Sequence, residues 1–332
     1  MNKLDLARVA WWNLRQLGLI DPFATHEETV QALVAVQAQD FGAARQAIAL
    51  RSAEQGWLDS AVEPGGPLVR LWTVRGTMHL VPCDEAGYHQ VATRLDWSER
   101  WGRYLRGHLP LSVADVRERI YPQIMATLSD QPRTHQQIAE LAGLAAPYDK
   151  LLPHLLKDLC YLGGCVRGPQ TGGKAIYFRP WHELLPDDAA WRAQCFLLGR
   201  FVERYGPVTV ADMVYWSGWR VSTVRQIVRE LGDVLTVVRL GDRCDEAYLL
   251  AEQLPQLWDM TPPQSGATRF LPAFDVLLLA YRDKQRFLDN QFTSRVFLSA
   301  ARVSPILLEG SRVVGTWQGQ PPRVDRFPEP QE

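Results

Sequence analysis

Two stretches of this chain share one pattern: Thr-His-Gln-Gln-Ile-Ala-Glu-Leu-Ala-Gly at 134–143 and Thr-Val-Ala-Asp-Met-Val-Tyr-Trp-Ser-Gly at 209–218. In each stretch a threonine is followed three residues later by Gln137 or Asp212, then by apolar residues at helical spacing and a final glycine. A threonine oxygen caps a helix while the Gln or Asp side chain reaches back to the cap amide, and glycine is typical of a helix end. Both stretches are therefore predicted to be helices that begin with a capping box.

The residues after each stretch also agree. A second helical pattern covers 148–160 in one copy and 220–231 in the other, and two β-prone runs around a polar turn follow at 165–179 and 234–250. This order of elements is typical of a winged helix-turn-helix. Because two short matches in the same order rarely arise by chance, the repetition strengthens the prediction.

A third, weaker copy is found at the N-terminus. Thr25 and Glu28 form a candidate capping box, an amphipathic helix is predicted from Leu4 to Leu17, and 69–81 is suited to a wing. The sequence therefore predicts three tandem winged helices.

The last part of the chain departs from the repeat. From Thr268 onward the apolar runs are short and β-prone, and a hairpin turn is expected at Glu309–Ser311. Pro262 and Pro263 indicate a linker, and the proline-rich tail is predicted to be disordered. The expected fold class is α+β, with five segments: a first winged helix at 1–108, a second at 109–183, a third at 184–260, a β-rich domain at 261–318 and a disordered tail at 319–332. The expected β-prone runs are 270–279, 295–303, 306–309 and 312–317.

The composition favours a globular protein without metal or cofactor. The chain has 332 residues, of which 46% are hydrophobic, and no signal peptide or membrane span is recognisable. Its five cysteines are scattered, and no two of its seven histidines have the spacing of metal ligands on one helix face. Neither a nucleophile elbow nor a dinucleotide fingerprint is present. We expect a cytoplasmic, nucleoid-associated protein with reduced thiols.

Basic residues are unevenly distributed although the net charge is only -1. Just five of the 36 basic residues are lysine, and arginine is the better bidentate donor to phosphate. Arginines alternate with aromatic residues over 94–108, and Arg220, Arg225 and Arg229 lie on the predicted helix at 220–231. Two interpretations stay open for each cluster: a track for nucleic-acid phosphates, or a solvated helix face whose aromatic rings point into the core.

Several motifs together resemble one known family. These are Val-Gln-Ala-Gln at 36–39, Arg-Gly-Thr-Met-His-Leu-Val at 75–81, Leu-Pro-Ala-Phe-Asp at 271–275 and Gly-Thr-Trp at 315–317. Their order resembles that of the bacterial winged-helix DNA glycosylases typified by AlkZ. The resemblance implies three winged helices and a β-rich domain in a C shape around DNA, and excision of alkylated purines, including those in interstrand crosslinks. It also implies a catalytic Gln-x-Gln motif at Gln37 and Gln39.

The chemistry of Gln37 and Gln39 can be considered without the family. On a regular helix, side chains at i and i+2 diverge, so a shared target requires the backbone to leave the helix here. A glutamine is a poor base, but its amide can orient a water and place a dipole beside developing positive charge. That suffices for a cationic N7- or N3-alkylpurine, which leaves as a neutral base. The alternative is a pair of polar helix-end residues. For Asp40, two roles are open: a nearby anionic charge or a helix cap.

Two further groups are predicted to contact DNA. Strand alternation is expected to place Arg75, Thr77 and His79 on one face of the first wing, where they meet a phosphate or line the active site. Internal hydrogen bonds are the alternative. A polar hairpin in the C-terminal domain is expected to present three further cations to phosphates: Arg282, Lys284 and Arg286. A solvated charged loop is the alternative.

The function predicted from these observations is that of a metal-independent, monofunctional DNA glycosylase that acts on double-stranded DNA with alkylated purines. No lysine lies near Gln37 or Gln39 in sequence, so a Schiff-base intermediate is not expected. A winged-helix transcription regulator or a non-catalytic DNA-binding protein is the alternative. Because three winged helices in one chain clamp DNA without symmetry, we expect a monomer.

Overall fold

The computed structural model describes residues 3–57, 59–129, 131–171, 174–241, 246–263 and 266–328. Helices and strands are mixed along the chain. The α-helices in these ranges are α1 (Leu6–Gln16), α2 (His26–Ala32), α3 (Phe41–Ala49), α4 (Ala86–Arg106), α5 (Val113–Ala126), α6 (His135–Leu141), α7 (Tyr148–Tyr161), α8 (Ala190–Tyr205), α9 (Val210–Ser217), α10 (Val221–Leu231), α11 (Leu254–Asp259), α12 (Val276–Leu279) and α13 (Thr293–Val296).

The strands are short and form small sheets. In the same ranges they are β1 (Lys3–Leu4), β2 (Val36–Gln37), β3 (Leu68–Trp72), β4 (Met78–Pro82), β5 (Arg133–Thr134), β6 (Val166–Thr171), β7 (Lys174–Phe178), β8 (Val208–Thr209), β9 (Leu235–Leu240), β10 (Glu246–Leu250), β11 (Thr268–Leu271), β12 (Ile306–Glu309), β13 (Arg312–Gln318) and β14 (Arg323–Arg326). Two sheets have four strands, in the orders β1-β9-β10-β8 and β11-β12-β13-β14. A third has the order β5-β7-β6, and β3 pairs with β4 as an antiparallel hairpin.

The chain divides into two compact units. One contains residues 1–56 and 198–332, and the other contains 57–197. The predicted first domain, 1–108, is therefore shared between the two units. The finer division into winged helices and a β-rich domain stays a prediction.

Both predicted capping boxes are present. Thr134 accepts from the Gln137 amide, and the Gln137 side chain accepts from the Thr134 amide in return. Thr209 and Asp212 make the same reciprocal pair at the start of α9, which ends at Gly218 with a φ of 75°. At the N-terminus, Thr25 caps α2, but the Glu28 carboxylate accepts from the amide of Ala24 instead of the cap residue. These local signals were sufficient to locate the helix starts.

The second unit is built around one apolar core. Buried residues of α7, including Leu152, Leu155 and Leu159, pack with Val116 and Ile124 of α5. Asp158 is also buried there, and its carboxylate accepts from the Arg117 guanidinium and from the Tyr121 hydroxyl at 2.8 Å. This core supports the helices and hairpin of the unit.

The C-terminal region corrects three predictions. The run 270–279 is not continuous β-structure, because Asp275 caps the short helix α12 through its bond to the Leu277 amide. Most of 295–303 is a helix end and a turn instead of a strand. The tail is ordered over 323–326, where β14 pairs antiparallel with β13. The strands at 306–309 and 312–317 and the turn between them are confirmed; residues 329–332 lie outside the described residues.

No helix in the part of the chain that the structure describes is both long enough and apolar enough to cross a membrane.

Candidate active site

The backbone is extended at Gln37, and the chain bends at Gln39. Helix α2 ends at Ala32, Val34 then adopts a left-handed φ of 64°, and β2 begins two residues later at Val36. A β-branched residue rarely takes this conformation, so the surrounding fold must hold it there. The predicted departure from helical backbone is thus present at the motif, so the two side chains are not forced apart as they would be on a helix.

Helix α8 holds the turn that leads into β2. The Tyr205 hydroxyl donates to the Leu33 carbonyl at 2.8 Å, and the Arg200 guanidinium donates to the Gln31 carbonyl at 2.7 Å. Tyr205 is fully buried, and its ring packs on Phe201 with centroids 4.9 Å apart. The carbonyls at the end of α2 are therefore satisfied by residues that are far away in sequence, which fixes where β2 begins.

The two amides of the motif are in contact. Nε2 of Gln37 donates to Oε1 of Gln39 at 3.5 Å. Gln37 is 9% exposed, whereas Gln39 is exposed to solvent. A carbonyl oxygen has two lone pairs, so Oε1 of Gln39 can accept a second hydrogen bond from a water. The pair thus consists of a buried amide that orients an accessible one.

Asp40 caps the next helix. Its carboxylate accepts from the Ala43 amide at 3.0 Å, at the N-terminus of α3. Of the two roles considered for Asp40, the structure shows the cap. Because a cap fixes the backbone where the helix starts, Asp40 also limits the movement of Gln39 directly before it.

The β3–β4 hairpin turns sharply at Arg75. Arg75 has a φ of 57° and lies in a single turn of 3₁₀-helix, Val74–Gly76, between β3 and β4. The expectation that it lies on a strand was therefore wrong. Gly76 also has a positive φ of 64°, and a Cβ there would come within 2.6 Å of the Trp97 ring. The turn accordingly requires glycine and packs closely against α4.

The turn nevertheless brings the three predicted side chains together. Nε2 of His79 lies 3.4 Å from Nη2 of Arg75 and 3.5 Å from the Thr77 hydroxyl, while Nδ1 lies 3.1 Å from the Thr77 carbonyl. Because a carbonyl can only accept, Nδ1 carries the proton in this arrangement and Nε2 accepts from Arg75. Burial lowers the pKa of His79 well below its usual value, and the positive charge of Arg75 lowers it further.

These contacts change the role expected of His79. The imidazole is neutral at neutral pH and only 1% exposed, which argues against a direct contact with phosphate. Arg75 and Thr77 are half-buried and keep part of their surface accessible. His79 therefore acts on Arg75, by holding its guanidinium, while Arg75 and Thr77 stay candidates for contact with a ligand.

The predicted polar hairpin at 282–286 is absent, since no strand lies between α12 and the helical turn at Asn290. The Lys284 ammonium is buried and donates to the carbonyls of Leu278 and Tyr281. The Arg286 guanidinium is buried as well and donates to Oδ1 of Asn13 at 2.8 Å. Both cations are buried and bonded within the protein, which corrects their expected role in phosphate binding. Arg282 is exposed and stays a candidate.

The arginine and aromatic cluster of α4 leaves both interpretations open, because two of its aromatic rings pack against the core while Tyr104 is 40% exposed. Trp97 and Trp101 are partly buried and pack against the core, and the Trp101 indole donates to the His154 carbonyl at 2.8 Å. The arginines of this helix that face solvent are Arg100, Arg103 and Arg106. On α10 the apolar side is buried while the cap residue and helix arginines are exposed: Arg220, Arg225 and Arg229. Both sets leave cations at the surface.

No group of three or more His, Cys, Asp or Glu side chains that could hold a metal ion occurs within the described ranges.

Comparison with known proteins places this geometry in a family. The model of the family described as DNA glycosylase AlkZ-like matches residues 30–324. The chain therefore belongs to the AlkZ-like DNA glycosylase family, and the resemblance inferred from its motifs is confirmed.

Two matches give the degree of similarity. An interstrand DNA cross-link repair glycosylase of Streptomyces sahachiroi is 26% identical over an alignment of 327 residues. The match covers 93% of this chain and 86% of that protein. The solved structure of the Streptomyces sahachiroi DNA glycosylase AlkZ matches with a TM-score of 0.78 and 23% identity, over 99% of this chain and 92% of that one. At this identity the second match shows that the fold is shared.

Proposed function

We propose that this protein is a monofunctional glycosylase that hydrolyses the N-glycosidic bond of cationic N7- or N3-alkylpurines in double-stranded DNA. Gln37 and Gln39 are the catalytic residues of the proposal. The observation that carries it is the contact between the two amides, with one amide buried and the other accessible. Membership of a DNA glycosylase family supplies the reaction class.

The division of labour follows from the amide chemistry. Gln37 donates to Oε1 of Gln39 and so fixes the direction of that carbonyl. Oε1 of Gln39 accepts a hydrogen bond from the attacking water and directs the water oxygen toward C1′ of the deoxyribose. The same carbonyl dipoles stabilise the positive charge that C1′ acquires as the bond to the base breaks. Neither amide takes up a proton, so after water has bonded to C1′ and the neutral base has left, the excess proton passes to bulk water.

An active site that has two amides and no strong general acid or base limits the range of substrates. An alkylated purine with a positive charge leaves as a neutral base and needs no acid catalyst. Uracil and hypoxanthine leave less readily and require protonation or strong stabilisation of the departing anion. We therefore expect the enzyme to release N7-methylguanine and to leave uracil and hypoxanthine in place.

This specificity is tested with three otherwise identical duplexes, each carrying one N7-methylguanine, uracil or hypoxanthine. Mild alkali after incubation converts abasic sites to strand breaks, and a break is expected only with N7-methylguanine. Efficient release of uracil would contradict the leaving-group argument. The absence of release from all three, together with binding to a preferred operator-like sequence, would favour a regulator.

The lysines support a monofunctional mechanism. In the unit that contains Gln37 and Gln39, the lysines are Lys3 and Lys284, and the Lys284 ammonium is buried and donates to two carbonyls. An amine that is buried and donates to two carbonyls is not positioned to attack a deoxyribose. Borohydride reduction during turnover should therefore trap no covalent protein–DNA adduct. A trapped adduct would show a Schiff base and overturn this part of the proposal.

Arg75 is proposed to neutralise a DNA phosphate. Arg75→Ala is then expected to weaken binding to all sequences alike and to reduce the slope of log K against log salt by about one unit. The measurement is a titration of unmodified duplex at several salt concentrations. Arg119→Ala is the matched control, because Arg119 is exposed on α5 of the same unit and faces Asp115 at 3.9 Å. If wild type and Arg75→Ala had the same slope of log K against log salt, Arg75 would not contact a DNA phosphate.

Two further parts of the proposal concern substrate and assembly. The Streptomyces relative is named for interstrand crosslink repair, and we propose that this protein also unhooks crosslinks formed through N7 of purines. Three winged helices and a C-terminal β-rich domain would surround the duplex as a monomer. Unhooking of a defined crosslinked duplex and the mass of the protein–DNA complex test these two statements.

A further inference from the structure

The C-terminal part of the chain contains a cavity of about 550 Å³ that lies apart from the catalytic pair. It is lined by Ala273 and Phe274 of the motif at 271–275 and by Thr316 and Trp317 of the motif at 315–317. Neither Gln37 nor Gln39 is among its lining residues. The volume lies within the range of about 300–1,000 Å³ that is typical of ligand pockets.

The aromatic walls of this cavity are held rigidly. Phe274 has a φ of 59°, a conformation that a bulky residue adopts only when its surroundings enforce it. The next residue, Asp275, is clamped by the buried guanidinium of Arg51, with atoms 2.7 Å apart. On the opposite side the Trp317 indole donates to the Leu271 carbonyl at 2.9 Å and packs edge-on against Phe270. Strain of this kind is found preferentially where a side chain must be presented to a ligand.

Two arginines at the cavity provide positive charge. Arg302 ends a tight turn, in which Ala300 and Ala301 both have positive φ and the Arg302 amide donates to the Ser299 carbonyl. Arg323 begins β14. Both are exposed, and within the described residues neither forms an ion pair with a carboxylate.

The acidic residue at the same cavity does not cancel this charge. Asp325 also lines the cavity, but its carboxylate is paired with the Arg295 guanidinium at 2.6 Å. Among the residues that the structure describes, the cavity thus combines half-buried aromatic rings with two arginines that form no ion pair with a carboxylate. Planar rings favour a stacked base, and guanidinium groups favour a phosphate.

We propose that this cavity binds one unstacked nucleotide of the DNA, distinct from the excised base, with its base against Phe274 and Trp317 and its phosphate at Arg302 and Arg323. The proposal rests on the proposed function, since DNA must be the substrate. An enzyme that takes a base out of the stack leaves the neighbouring and opposite nucleotides without their partners. A rigid aromatic cavity stabilises one of them and so favours the distorted duplex.

A crosslinking experiment tests the base contact. The full chain is bound to duplexes with an abasic-site analogue and a single 5-iodouracil, placed in turn opposite the analogue and at each flanking position. Irradiation should crosslink one of these positions to the peptide that contains Phe274 or Trp317, as identified by mass spectrometry. Phe274→Leu should reduce the yield severalfold. Crosslinks that map only to other peptides, or a yield unaffected by Phe274→Leu, would overturn the proposal.

The phosphate contact has its own measurement with a matched control. Arg323→Ala should reduce the salt slope of DNA binding by about one unit. Arg326→Ala removes the same charge from the same strand, but Arg326 is paired with Glu309, so its slope should match that of wild type. Equal slopes for Arg323→Ala and wild type would overturn the phosphate contact.

Three outcomes distinguish this inference from a site for free nucleotides and from the proposed function. Suppression of the crosslink by deoxyadenosine monophosphate at low concentration would show a site for free nucleotides and overturn the assignment to DNA. Excision of N7-methylguanine by a wild-type chain that gives no crosslink in this cavity would overturn only this inference. If the wild-type chain does not bind DNA, the proposed function is overturned as well.

Discussion

Gln39→Ala and Gln37→Ala are each expected to slow base excision by about 100-fold or more, while the affinity for DNA stays within a few-fold of wild type. Removal of one positioned dipole from an active site typically costs about 10²–10³ in rate. Orientation of the water matters only as the transition state is approached, so binding of the ground state is largely unaffected. Gln39→Ala removes the accessible carbonyl itself, whereas Gln37→Ala removes the donor that directs it.

Single-turnover excision of N7-methylguanine and a binding titration measure the two effects separately. Gln46→Ala is the control, because Gln46 lies nearby on α3 and is half-buried like much of that helix. Its excision rate should equal that of wild type. Wild-type rates in both Gln37→Ala and Gln39→Ala would contradict the mechanism, and an equal loss of binding and rate would show that the amides hold DNA instead.

Asp275→Ala is expected to destabilise the protein by about 3–5 kcal/mol, the usual cost of removing one partner from a buried ion pair. The Arg51 and Asp275 side chains are 0% and 1% exposed, and two hydrogen bonds of 3.0 and 2.7 Å join them. Without the carboxylate, Arg51 remains as an uncompensated charge in the interior. The variant also removes the cap of α12. The shift of the urea unfolding midpoint measures the effect.

An exposed ion pair in the same unit provides the control. Arg15 and Asp21 are 2.9 Å apart, but their side chains are 58% and 63% exposed. Asp21→Ala should therefore cost no more than about 1 kcal/mol. If Asp275→Ala and Asp21→Ala shifted the midpoint equally, the buried pair would not stabilise the native state as inferred. Asp275→Asn should lie between the two, because it retains the shape of the side chain and loses only its charge.

The most reliable sequence predictions rest on contacts between residues close in the chain. The caps at Thr134 and Thr209 depend on a partner three residues away, and a Gln or an Asp at that position produces the same pair of hydrogen bonds in both copies. The catalytic candidates could be named from residue type and family motif. Their arrangement could not, because the carbonyl at the start of the turn is held by Tyr205, which is 172 positions away.

The charged segment at 282–286 shows the opposite case. Its composition is that of a solvated loop, yet Arg286 bonds to Asn13 at a separation of 273 positions. Such a partner cannot be recognised from local sequence. Conversely, Arg302 lies in a run that is expected to be a strand, and Arg323 lies in a tail that is expected to be disordered. The sequence pattern therefore does not indicate either arginine as a binding residue.

Strand pairing was the least predictable feature. The residues of β14 lie among prolines and have little β-propensity, but β13 offers them a free edge with matching register. The short apolar run at 276–279 is compatible with a strand or a helix, and the cap from Asp275 selects the helix. At 323–326 the secondary structure depends on the neighbouring strand β13, and at 276–279 it depends on the capping residue Asp275. In neither place do the residues of the segment decide it alone.

The sequence by itself thus determined the capped starts of α6 and α9, the mixed helix and sheet class and the family, and it named the two glutamines as catalytic candidates, since each follows from residue type and short spacing. Only the tertiary structure decided that Gln37 is buried and Gln39 accessible, that His79 is neutral and holds Arg75, and that the cations at 284 and 286 face inward. Burial and the partners of a charged side chain depend on residues brought together from distant parts of the chain, and no local pattern encodes them.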